Sequence, residues 1–162
     1  MKKILLTFFI LFYIPIASAT LIESGISVDH VPKDFFGSWR VNAKLDSTNA
    51  PSLFRPQSID FWNLSRVGDV LKLDNPYSGA NAEISVQTVE NNLIVFSKKL
   101  AYDNNKVLTD TVTLRLNGNK FTGINTLVLE TFSLIDKTKL KTEMATYHIN
   151  GEKISGENLL ND

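Results

Sequence analysis

Beyond residue 36 the chain shows almost no helical periodicity. Apolar and polar residues alternate with period two, and turn signals break the runs at short intervals. Trp39, Val41, Ala43 and Leu45 fall on one side of the first run, with Ser38, Arg40, Asn42 and Lys44 on the other. That alternation predicts a half-buried strand. A loop rich in Ser, Asn and Pro follows from Asp46 to Pro56. Residues 58–65 are apolar on both sides, with Ile59 and Phe61 on one and Trp62 and Leu64 on the other. Gly68-Asp69 turns the chain into Val70–Leu73, and DNPYSGAN, 74–81, reads as a loop. Further strands are predicted at about 82–90, 93–102, 106–116, 119–132, 139–149 and 152–159. Ahead of them, 20–31 reads as an extended lead-in and Val31–Phe36 as one short helical turn, with Pro32 early in it.

Strands in this number, joined mostly by tight turns, either stack as two sheets or close into a barrel. Closure removes exposed edges, and local hairpins favour a meander. The predicted fold is therefore all-β: a single antiparallel up-and-down barrel of eight to nine strands after a short N-terminal helical turn. A two-sheet sandwich is the structural alternative.

Strand register sharpens this. Ile94, Phe96, Lys98 and Leu100 share one face, and Leu108, Asp110, Val112 and Leu114 share a face on the next strand. For both faces to point the same way the loop must be odd in length, and a loop at 103–105 satisfies that. It sets Leu100 opposite Leu108, Phe96 opposite Val112 and Lys98 opposite Asp110. Continued through Asn117-Gly118, a strong hairpin signal, the register sets Leu114 opposite Phe121, Val112 opposite Gly123 and Asp110 opposite Asn125. Lys98, Asp110 and Asn125 then lie side by side on an otherwise apolar face. An unpaired charge there is costly, so an ion pair with added hydrogen bonds is expected. The cluster reads either as a satisfied interior bridge, or a patch on the outside, or as the polar end of a ligand pocket whose walls are Phe96, Leu108 and Leu127.

Other chemistry is sparse. Leu140, Met144, Thr146 and His148 share a face, which directs the His148 imidazole inward as a further ligand-binding candidate. No serine lies in a recognisable nucleophile elbow, and the two histidines, His30 and His148, lack metal-ligand spacing. There is no calcium-loop pattern, no phosphate-cradling glycine loop and no dinucleotide fingerprint, so no metal and no cofactor is implied. Asp110 with His148 is the sole acid–base combination an enzyme could draw on, and the sequence points away from catalysis. Trp62, on the second face of its strand, is a candidate for a partner surface or for packing under a loop. NLS at Asn63 has the form of a glycosylation sequon.

Composition adds the compartment. Lys2 and Lys3, an apolar run from Ile4 to Ile14, and the small-residue end Ala17-Ser18-Ala19 form the three zones of a secretory signal, predicted at residues 1–19. The apolar stretch is short for a membrane span. Thr20–Asp162 is then one domain, exported to a periplasm or secreted, with no stable membrane anchor. The 162 residues include no cysteine, which excludes disulfides, thiolate metal sites, a cysteine nucleophile and a lipid anchor on cysteine. The whole chain has 17 basic and 17 acidic side chains; loss of Lys2 and Lys3 leaves 15 against 17. No basic face is implied, so nucleic acid is not an expected partner.

The stretch FFGSWRV, 35–41, resembles the opening signature of the calycin superfamily, the lipocalins and fatty-acid-binding proteins. In that family a short helical turn leads into Gly-x-Trp at the start of the first strand. The resemblance implies a lipocalin-like barrel over residues 35–158. It also implies that Gly37 gives close backbone approach, that Trp39 closes one end and that 46–56 lies over the open end. Lipocalins place an Arg near the last strand, packed across the Trp. Here the last Arg is Arg115, Lys141 and Lys153 are the residues placed to substitute, and the family's Thr-Asp-Tyr motif is missing. The expected function is binding of a small, partly hydrophobic molecule inside the barrel. The alternative is a protein-interaction module with a filled core, working through Trp62 and the loops at 46–56 and 74–81.

Overall fold

Trp39 and Trp62 stand directly opposite each other on adjacent strands, and that pairing sets which side of the sheet faces in. The computed structural model describes residues 28–77 and 79–156. The expected signal segment, the lead-in to residue 27 and the end of the last expected run lie outside them. The strands are β1 (Gly37–Thr48), β2 (Gln57–Val67), β3 (Val70–Asp74), β4 (Asn81–Glu90), β5 (Leu93–Asp103), β6 (Lys106–Asn117), β7 (Lys120–Phe132) and β8 (Lys139–Ser155). Each pairs antiparallel with the next, and β8 pairs back onto β1, closing an eight-stranded up-and-down barrel. Short 3-10 turns at Val28–His30 and Lys33–Phe35 precede β1. No helix among the described residues is long and apolar enough to cross a membrane.

Eight strands form because the last two expected runs are one. Asn150-Gly151 carries a hairpin signal, yet the strand runs straight through it, with Gly151 paired to Val41 on one side and Phe121 on the other. A Cβ at Gly151 would overlap the Phe121 ring. The glycine is there for close packing inside a strand, not for a turn.

On β2 the side that carries Trp62, a candidate partner surface in the sequence, is the inward one. Trp62 and Leu64 point inward and are buried, whereas Ile59 is exposed and Phe61 lies outside against Tyr77, ring centroids 4.5 Å apart. Both faces of this run are apolar, so its own pattern could not choose; the fixed inward direction of Trp39 does.

The β1 start, the turns 68–69, 91–92 and 118–119, and the end of β8 gather at one end, here the floor. The connections 49–56, 104–105 and 133–138 gather at the other, the mouth; β3 is short, so the β3–β4 connection turns back lower on the wall, Asp74 pairing with Asn63, which pairs with Ser38. Towards the floor the interior is dry. Trp39, Phe96, Phe121, Ile94, Leu114 and Ile149 are all within 2% of full burial. Trp62 stacks near Phe121 at 5.8 Å, and Trp39 lies 5.1 Å from the same ring. The β1–β2 loop folds over the mouth, and its Ala50 and Phe54 join the core cluster. Asn49 straps the loop to β8: its backbone N–H donates to Met144 O at 3.2 Å, and its side-chain oxygen accepts the Met144 N–H at 2.7 Å.

Candidate functional site

Lys98, Asp110 and Asn125 sit on β5, β6 and β7 and meet inside the mouth half of the barrel. Lys98 pairs with Asp110 across the β5–β6 ladder, as Leu100 pairs with Leu108 and Phe96 with Val112. The turn is Asn104-Asn105, and a bulge at Tyr102 supplies the odd residue that the face pattern requires. The Lys98 ammonium lies 3.3 Å from the Asp110 carboxylate.

Asn125 reaches the cluster by a different register from the expected one. The β6–β7 turn is Gly118-Asn119, closed by Asn117 opposite Lys120. Leu116, not Leu114, therefore faces Phe121; Leu114 faces Gly123, Val112 faces Asn125 and Asp110 faces Leu127. The slip is two residues, so every side chain keeps its face. Asn125 lies diagonal to Asp110, within reach of a side chain. Its amide donates to the Asp110 carboxylate and to Thr111 O, the latter at 3.3 Å.

The arrangement leaves capacity unspent. An ammonium has three donors, and one is directed at Asp110. The Asn125 carbonyl adds an acceptor. Side-chain exposure is 20% at Lys98 and 15% at Asp110. Along β5 the inward face runs from buried Ile94 and Phe96, through Lys98, to exposed Leu100. Along β6 it runs from buried Leu114 and Val112 to half-buried Asp110 and Leu108. Leu127 packs on the core beside the cluster. The polar side chains thus stand where a dry core gives way to an interior that solvent reaches.

Two groups of this region were not legible beforehand. Tyr147 on β8 lies inward beside Asn125, and its hydroxyl donates to Arg55 O in the mouth loop at 3.1 Å. Burial pushes its phenol above the usual value. Asp60 on β2 lies inward opposite Val41, and its carboxylate accepts from the Trp62 indole N–H at 3.2 Å and from the Asn75 amide. Neither strand has one cleanly apolar side: β2 is apolar on both, and β8 mixes apolar and polar residues on both.

His148 is therefore a correction. The inward set of β8 is Ala145, Tyr147, Ile149, Gly151 and Lys153, because these residues stand opposite the inward residues of β1. His148 faces solvent, 62% exposed, with its imidazole 3.4 Å from Asp46.

At the floor, Lys153 takes the place over Trp39. It is 5% exposed, its ammonium lies 5.2 Å from the indole centroid, and it donates to Asp34 O at 2.8 Å. Lys141 is on the surface, paired with Glu143 at 2.6 Å. The Trp39 indole donates to Phe35 O at 3.0 Å. Gly37 has φ 123°, and a Cβ there would overlap Ser155 O and crowd the Lys153 side chain.

Outside the barrel, Ser38, Phe61, Asn63, Pro76, Tyr77 and Ile154 line a groove of about 290 Å³. Among the described residues no three His, Asp or Glu side chains are grouped to hold a metal. Compared with known proteins, the chain matches no family model, no curated protein and no solved structure.

Proposed function

We propose that this chain is an exported, lipocalin-like protein that binds a small, partly apolar molecule in the mouth half of its barrel. The observation that carries the reading is the boundary inside the barrel. A dry aromatic floor ends at Lys98, Asp110 and Asn125, which keep hydrogen-bonding capacity and are reached by solvent. In this reading the apolar body of the ligand lies against Phe96, Leu108 and Leu127, and the three polar groups orient its polar end. Tyr147 ties the covering loop to the same wall. Lys153 over Trp39, with Gly37 beneath, supports the superfamily resemblance, since a cation crosses the first-strand Trp where lipocalins place an Arg.

A fluorescent fatty acid tests the reading. The wild-type protein is expected to take up the probe, and Lys98→Met with Asp110→Asn is expected to weaken uptake about tenfold or more, the loss of one charge-assisted contact. A folded double variant that binds the probe as tightly as wild type removes the cluster from the site. The outer groove beside Phe61 and Tyr77 favours a second reading, an interaction module. Native mass spectrometry of protein from its own source separates the two: a co-purifying small molecule supports the first, and a clean apo mass without probe uptake supports the second.

A further inference from the structure

Each of the three mouth-end connections carries or adjoins an exposed apolar or aromatic side chain. Leu53 stands on the β1–β2 loop, Tyr102 beside the β5–β6 turn, and Leu134 with Ile135 on β7–β8. Ile135 is 96% exposed. The floor-end turns are Gly68-Asp69, Asn91-Asn92 and Gly118-Asn119, glycine and polar residues throughout, with Val67 and Val70 flanking the first.

The β7–β8 tip is held from within. Ser133 N–H donates to Thr138 O at 2.8 Å, Lys137 N–H to Ser133 O at 3.2 Å, and Ile135 N–H to the Ser133 hydroxyl at 3.2 Å. These backbone groups do not depend on water, so the tip can present Leu134 and Ile135 to a dry medium without leaving them unpaired. Beside it, between the β5–β6 and β7–β8 connections, lies a cleft of about 230 Å³. Ala101, Val107 and Phe132 contribute apolar lining, and Lys106 and Lys137 line it with Asp103. The Asp103 carboxylate accepts the Asn104 N–H at 2.7 Å. Glu130 and Glu143 are taken by Lys139 and Lys141, so among the described residues Lys106 and Lys137 have no carboxylate within ion-pair distance.

We propose that the mouth end docks on a bilayer carrying anionic phospholipid head groups. Leu134 and Ile135 reach the acyl boundary, the ionised Asp136 beside them stays at head-group level with Tyr102, and Lys106 and Lys137 take the phosphates. Tips spread over three separate connections around a ring meet a plane more readily than they meet one segment of another protein. This docking does not rest on the ligand-binding reading: a filled barrel with the same rim would also bind vesicles.

The absence of cysteine makes the test clean, since a single introduced thiol takes a label at one place. Ile135→Cys and, at the floor, Asp69→Cys are labelled with an environment-sensitive dye. Each is mixed with phosphatidylcholine vesicles, with or without phosphatidylglycerol. The expected result is a blue shift at position 135 with the anionic vesicles and none at position 69. No shift at 135, or equal shifts at both positions, overturns the docking. Lys106→Gln and Lys137→Gln in the labelled Ile135→Cys background are each expected to weaken vesicle binding about fivefold. Unchanged affinity overturns the head-group assignment.

Discussion

A methyl group on Gly151 would occupy the space of the Phe121 ring, which is itself almost fully buried. Phe121 cannot retreat, because Trp39 and Trp62 pack on it. Gly151→Ala is therefore expected to cost about 2–3 kcal/mol in chemical denaturation, the range for overpacking a filled core. A Gly151→Ala protein as stable as wild type would show that the floor can yield. The same residue marks a limit of sequence reading. Asn-Gly is a good turn signal in isolation, and nothing local says that an aromatic ring from β7 fills the space beside this glycine. Lys153 is similar. Its position on the last run made it a candidate to cross Trp39, and only the paired ladder of β1 and β8 brings it there.

Among the elements, the β7–β8 loop has a titratable support. Asp136 is held below the ordinary aspartate value of 3.8, first by the Ser133 hydroxyl and then by the Thr138 hydroxyl and N–H. Its ionised form is the one the folded loop favours. The contribution is therefore complete above the ordinary value and lost as pH falls through the lowered one. In NMR titration the Asp136 carboxyl is expected to titrate below 3.8, and the Thr138 amide to lose protection over the same window. A carboxyl titrating at or above the ordinary value would remove this support. The hairpins show what register can absorb. The β5–β6 pairs were legible because the apolar faces of both strands demand one parity. The β6–β7 register was misplaced by two residues, since an Asn-Gly signal locates a turn only to within its neighbours. A slip of two preserves faces, so Asn125 still reaches Asp110. A slip of one would have turned Asn125 to solvent.

Over the whole molecule, burial is uneven along the barrel axis. The floor half has the fully buried aromatics, while the mouth half contains Lys98, Asp110, Asn125 and a loop held by strap-like hydrogen bonds. Local opening follows buried apolar contacts. Hydrogen exchange is therefore expected to be slowest at amides such as Ile94, Leu114 and Ile149, and measurably faster at Leu100 and Leu108, towards the mouth on the strands of Ile94 and Leu114. Uniform protection from floor to mouth would contradict this gradient. The closed ring also removes the need for edge protection: β8 pairs with β1, so none of the eight strands is left as an edge.

Local pattern along the chain was enough to read the all-β class, most strand positions, the barrel as the preferred closure, and the Lys98–Asp110 pairing. Period-two alternation and hairpin parity are local properties, and short-range steric rules suffice to read them. Tertiary structure decided the facing of β2 and β8, and with it the inward places of Trp62, Asp60, Tyr147 and Lys153 and the outward place of His148. Neither strand has one cleanly apolar side, so their orientation is set by the partner strand: Trp39 points in, and whatever stands directly opposite it must point in too.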